Sequence, residues 1–228
     1  MTPFGTAPTG ARLQSATDLV EAAKDQAKTV FGQVMFLVAV TLGFAAAGAW
    51  LGRDIGRGAA FGCWAISFAL IIGMGFVRKQ NGLSLTMLFA LGLFLGLSVG
   101  PALNYYTSIQ GGHTLVAQAA GGTALLVGGL GAAGWMTRRD LAGWAKSLMI
   151  ATVVLFIGGI ALIFIGGSTA HLAFSIIGLI IFSAWTIYDF NRLRRAHPDE
   201  VVFIAVGIFL DIFNIFWFLL NILGMSRD

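Results

Sequence analysis

The sequence predicts an all-α membrane protein with seven transmembrane helices, and three observations carry that prediction. Of the 228 residues, 57% are hydrophobic and only 11% charged, against about 25% charged in an ordinary soluble domain. The mean hydropathy is +0.86, more apolar surface than a soluble core of this length can hide. The apolar residues gather into seven continuous runs, each near the roughly 20 residues a spanning helix needs. Because the runs are unbroken rather than alternating over about ten residues, a transmembrane β-barrel is excluded.

Residues 1–29 are rich in Pro, Thr, Ala and Gly and then in mixed charges, with no apolar core of a signal peptide. They read as a disordered start leading into a polar helix on the membrane surface, before a seven-helix domain at 30–225. The first span is Val30–Leu51. The second, Gly58–Val77, holds the lone cysteine, Cys63, which has no disulfide partner in the chain and reads as a small core residue. The third, Leu83–Leu103, contains ALGLFLGLSVGPAL, with Gly92, Gly96 and Gly100 at four-residue spacing. Small residues so spaced let helix backbones approach closely in lipid. The fourth, Thr114–Met136, repeats the device in GGLGAAG, Gly128 to Gly134. The fifth is Leu148–Gly166, the sixth Ala170–Tyr188 and the seventh Val201–Leu223. Short connections predict that successive helices are antiparallel neighbours in one bundle.

Charge orients the bundle. With the N-terminus cytoplasmic, the inner segments hold Arg12, Lys24, Lys28, Arg78, Lys79, Arg138, Arg139, Lys146, Arg192, Arg194 and Arg195. Only Arg53, Arg57 and Arg227 face the other side, a steep positive-inside asymmetry. The isoelectric point of 9.6 therefore reflects topology and attraction to anionic headgroups, and implies no nucleic-acid partner. The lysine-poor, Ala/Gly-rich composition points to a bacterial inner membrane.

Gly96-Leu97-Ser98-Val99-Gly100 spells the serine-hydrolase elbow, but that motif works only at a strand-to-helix turn with a base in reach. Here it falls inside a helix, while His113, His171 and His197 all sit at helix ends or loops. No nucleophile is read from it.

Two acids stand out. FLDIFNIFWFLLNIL, Phe209 to Leu223, carries Asp211 with Asn214 and Asn221, and AWTIYDFNRLRRAHPDE carries Asp189. Hydrocarbon solvates ionisable groups badly, so each is a functional candidate. On helix seven, Asp211, Asn214 and Asn221 fall on one stripe facing the bundle. Asp189 and Asp211 average to Glu200 in the HPDE turn. If helix six runs past Asn191, they lie at the same depth, some 10–15 Å inside the turn at about 1.5 Å per residue. Two carboxylates close together in poor solvent tend to hold one proton between them, which suits a proton sensor, a proton relay or a cation site. The bland alternative pairs Asp189 with Arg192 or Arg194 and leaves Asp211 as a hydrogen-bond donor between helices. Arg78, in GMGFVRKQNG, is placed by depth to latch the acids, or else to serve as a topology anchor.

IYDFNRL followed by AVGIFLDIFNIFWFLLNILG strongly resembles the C-terminal signature of the Bax inhibitor-1 family. LFALGLFLGLSVGP and TALLVGGLGAAGWMTRRDLAGWAKSL resemble it too, so the likeness covers about residues 28–225. The resemblance implies six helices around a central seventh, with Asp189 and Asp211 matching the family's paired acids, linked to pH-sensitive calcium leak. It also implies cell-death suppression or partnership with membrane quality-control proteases as family roles. Leu95 stands where many members carry Glu, and Asn221 where an Arg is common. With two acids and no richer oxygen cluster, the six to eight ligands of a tight calcium cage are not visible, so weak Ca²⁺ binding is the expectation, without another cofactor.

The leading functional reading is thus a pH-responsive cation leak rather than an enzyme. The second is a non-conducting regulator that binds a protease or another membrane protein. The third, an aspartyl intramembrane protease, also places YD on helix six and Asp on helix seven as a catalytic dyad. Its helix seven should read GxGD where this one reads IFLD, and its PAL-type motif is missing. A retinal pigment is excluded because no lysine follows Lys146.

Overall fold

The computed structural model describes residues 9–77 and 81–225. Among them are seven α-helices: α1 Thr9–Leu51, α2 Arg57–Phe76, α3 Asn81–Ser108, α4 Gly112–Met136, α5 Trp144–Ile165, α6 Ser168–Leu193 and α7 Val201–Met225. A 3₁₀ turn, Pro198–Glu200, joins α6 to α7. All seven helices are long and apolar enough to cross a membrane. The chain is an all-α, multi-pass membrane protein.

The first helix departs from expectation. The polar stretch is no separate surface helix, because α1 runs unbroken from Thr9 through the span to Leu51. No proline and no glycine interrupts residues 11–31, and Ala, Gln, Lys and Glu propagate a helix well. At about 1.5 Å per residue, 43 residues outreach a hydrocarbon core of about 30 Å.

Chain neighbours are not always packing neighbours. α2 packs on α3 and α5 on α6, while α1 lies against α3 and α4 against α6. The reason is visible in the glycines. A Cβ on Gly92 or Gly96 would fall on the Thr41 or Ala45 carbonyl, and one on Gly48 would fall on the Leu93 carbonyl. Backbone meets backbone along the α1–α3 seam, as the GLFLGLSVG spacing predicts. In GGLGAAG only part of the run does this work. Gly134 lies against the Ile187 carbonyl and Gly131 against the Phe190 ring of α6, whereas Gly128 and Gly129 meet nothing.

The seventh helix is the most buried, with Ile204, Ile208, Phe209, Ile215 and Leu220 fully enclosed. It packs against α1, α3, α4 and α6, so four helices rather than six surround it. The remaining two, α2 and α5, close the bundle on the outside and touch through an edge-on Phe68–Phe156 contact with ring centroids 6.3 Å apart. Their large exposed apolar side chains, Phe61, Ile72, Val154 and Ile157 among them, belong in lipid, whose chains are as apolar as leucine.

The α1–α3 seam generates a prediction. Gly96→Leu should destabilise by at least about 1–3 kcal/mol, the usual cost of overpacking a tight interface, because the new side chain meets the Ala45 backbone. Gly43→Leu, on the partner helix α1 but with open space at its Cβ, should leave the thermal midpoint of the detergent-solubilised protein unchanged. Equal midpoints for the two variants would remove the close-approach explanation.

Candidate functional site

The acidic site is built where α6 and α7 cross. Asp189 occupies the penultimate turn of α6 and Asp211 the middle of α7, and they are 5% and 3% exposed. Their carboxylates lie close enough to act on one another electrostatically. The sequence-derived register is off by one helical turn. Asp189 lies against Gly207, where a Cβ would land on its Oδ2, and Thr186, whose hydroxyl donates to the Phe182 carbonyl at 2.9 Å, lies beside Asp211. Facing residues therefore average to about Pro198 and not to Glu200, because the 3₁₀ turn stacks directly beneath α7 and the chain reverses earlier. Asp211 sits a turn deeper than Asp189, about 6 Å along the axis.

The pair is poorly supplied with partners. Asp211 Oδ2 is buried without a hydrogen bond among the described residues, which is costly unless a proton, water or ion meets it. The proposed ion-pairing of Asp189 to a neighbouring arginine does not form. Arg192 Nη2 instead bridges Glu200 Oε1 at 2.7 Å, and Arg194 Nη1 donates to the carbonyls of Trp135 and Thr137 at 3.3 and 3.4 Å. Arg192 acts on Asp189 only through its field. Arg78 lies outside the described residues.

The helix-seven stripe is half-buried. Asn214 and Asn221 each donate from Nδ2 to the carbonyl four residues back, Leu210 and Trp217, at 2.7 Å. Asn221 Oδ1 also accepts from the Tyr106 hydroxyl at 3.3 Å, tying the far end of α7 to α3. Ser98 lies within α3 and donates to the Leu95 carbonyl at 2.7 Å.

Three residues escape a reading for charge: Thr186 and Gly207, which lie beside the acids, and Asn191. Asn191 is 1% exposed and organises the connection from α4 to α5. Its Nδ2 donates to the carbonyls of Gly134, Thr137 and Arg139 at 3.2, 2.9 and 3.1 Å. Its Oδ1 accepts the Leu141 N–H at 3.2 Å and the Arg195 guanidinium, which also bridges Asp140 Oδ1 at 2.7 Å. The orphan carbonyls that end any helix are thus met from α6, two residues past Asp189. An amide inside the IYDFNRL motif was the available signal, though spacing alone does not say what it binds.

Among the described residues no cluster of three or more His, Cys, Asp or Glu side chains exists. Two carboxylates and one hydroxyl fall short of a calcium cage and suit a proton or a loosely held cation.

The family model described as Inhibitor of apoptosis-promoting Bax1 matches residues 27–228. An "Uncharacterized membrane protein" of Vibrio cholerae is 30% identical over 152 residues, 67% of each chain. "Modulator of FtsH protease YccA" of Escherichia coli K12 is 36% identical over 141 residues, 61% of this chain and 64% of its own. A Neisseria meningitidis serogroup B protein is 31% identical over 191 residues, 78% of this chain and 83% of its own.

Two predictions follow from the support around the acids. Gly207→Ala should destabilise the protein, although alanine favours a helix by about 1 kcal/mol, because the methyl group displaces the Asp189 carboxylate. In an Asp189→Ala background the same change should be neutral or stabilising, and a double-mutant thermal cycle measures the difference. Asn191→Ala should cost about 1–3 kcal/mol for each buried group left unmet. Hydrogen exchange should then report faster opening at the Leu141 amide, and unchanged protection there would show that Asn191 is dispensable to the connection.

Proposed function

The chain belongs to the Bax inhibitor-1 family, and from that premise we propose that it is a pH-responsive cation leak of the bacterial inner membrane, gated at Asp189 and Asp211. The observation that carries this reading is the juxtaposition of two buried carboxylates on α6 and α7, one oxygen of which has no hydrogen-bond partner among the described residues. Two such groups in a poor solvent share a proton and titrate as a unit. The charge of the unit then depends on pH, and with it the attraction for a cation or for Arg192. Between the pair and the basic end of the bundle, which we assign to the cytoplasm from the positive-inside bias, lie the buried Leu193, Ile204 and Ile208 and then the Arg192–Glu200 bridge. Gating works by this charge change: when the pair takes up its second proton its field on Arg192 and on any cation is lost, and the packing of α6 on α7 around the two carboxyls changes. The chemistry requires no bond to be made or broken, so the protein acts as a conduit rather than an enzyme. Calcium is the cation this reading favours, held weakly and in passing.

A second reading is favoured by one specific observation, the similarity to a protein named as a modulator of FtsH protease. On that reading the bundle is a non-conducting partner of a membrane-anchored quality-control protease, and the buried acids tune its stability.

Flux against pH in liposomes separates the two. Asp211→Asn keeps the shape and hydrogen bonding of the side chain and removes its titratable charge. Expected is a flattened pH profile together with a weaker dependence on the cation, at unchanged monodispersity, since a neutral amide in the membrane costs less than a charge. A parent protein that passes no ions at any pH, yet co-purifies with an FtsH-type protease, would give the second reading the lead.

A further inference from the structure

We infer that the seam between α1 and α4 is a binding site for an anionic phospholipid, with one acyl chain in the seam and the headgroup at its basic mouth. These two helices form no packed interface. They touch at the edge-on Phe31–Trp135 contact, ring centroids 5.1 Å apart. Two cavities follow the gap and meet at Val127, one of about 640 Å³ toward the basic end and one of about 530 Å³ beyond it. The walls of the first are Phe31, Met35, Trp135 and Met136 over a floor of Gly128 and Gly131. Among the described residues Lys28 is the one charged side chain that lines it.

Charge at the mouth selects the headgroup. Arg138 and Arg139 are exposed just past Met136, and the Arg194 guanidinium lies on the Trp135 and Thr137 carbonyls. Two of the acids nearby are paired, Asp25 with Lys28 at 3.3 Å, both exposed, and Asp140 with Arg195 at 2.7 Å; Glu21 and Asp18 lie further out along α1. An exposed pair of the first kind holds weakly, so a phosphate can take Lys28 from Asp25. Basic residues beside a bilayer attract anionic headgroups, and Trp135 sits at a depth where tryptophan is favoured. A partner's helix fits the site less well. Helices associate in lipid through small facing residues; Gly128, Gly131 and Ala132 are small, but the Phe31, Met35, Trp135 and Met136 walls that flank them keep a second helix from close approach, and the mouth carries positive charge.

The test is tryptophan quenching by chain-brominated lipid, with the full-length protein reconstituted in liposomes. Subtracting the signal of Trp135→Phe isolates Trp135. Brominated phosphatidylglycerol at low mole fraction should quench Trp135 several-fold more than brominated phosphatidylcholine, and Lys28→Gln should erase most of that preference. Gly128→Leu fills the seam without a clash, since a Cβ there meets nothing within 4 Å, and should protect Trp135 from quenching. Gly129→Leu has equally open space but does not line the cavity, and should behave as the parent. Equal quenching by the two lipids, or equal behaviour of the Gly128 and Gly129 variants, overturns the inference. So does a Trp135 that no lipid quenches, the result expected if a second copy or a partner's helix covers the seam.

Discussion

Two carboxylates held inside an apolar bundle are the constraint on which the rest of this structure depends. Hydrocarbon cannot solvate them, so the helix that carries Asp211 must be screened, and four helices pack on it to do so. The other acid can come close only because α7 offers no side chain at Gly207. Helix propensity argues against a glycine there; the carboxylate opposite explains it.

The same economy of small residues determines which helices touch. α1 and α3 are joined backbone to backbone through Gly48, Gly92 and Gly96, and α4 joins α6 through Gly134. Lipid chains are as apolar as leucine, so close van der Waals approach decides association. Where glycines do not oppose a backbone, as between α1 and α4, the helices stand apart and a seam remains. Large side chains on α2 and α5 serve the bilayer instead, and these two helices stay outside the shell around α7.

At the basic end the structure changes character, from apolar packing to a polar network with few loose ends. Asn191, Arg194 and Arg195 reach from α6 to the α4–α5 connection, and Arg192 closes onto Glu200 in the following turn. A backbone leaving a helix near lipid must have its carbonyls met from somewhere. Here they are met from the segment that positions Asp189, so the geometry of the acid and the integrity of a distant loop are one problem. Asp189 itself is left without an arginine because the neighbouring arginines are committed to that network.

The sequence by itself determined the class, the number of spans, the family resemblance and the two acids, because each is a one-dimensional signal. Hydrophobic run length measures a bilayer, charge asymmetry measures its sides, and an aspartate in an apolar run announces itself. The α1–α3 glycines were legible for the same reason, as a spacing. Only the tertiary structure decided the register of α6 on α7, since a turn's stacking shifts it by four residues without altering composition. It alone showed that four helices and not six enclose α7, that α1 continues unbroken from Thr9, that Thr186 and Gly207 lie beside the acids, and that Asn191 holds the α4–α5 connection. A hydroxyl, an amide and a glycine carry no signal until the backbone opposite is known, because what they contribute is a partner or a space.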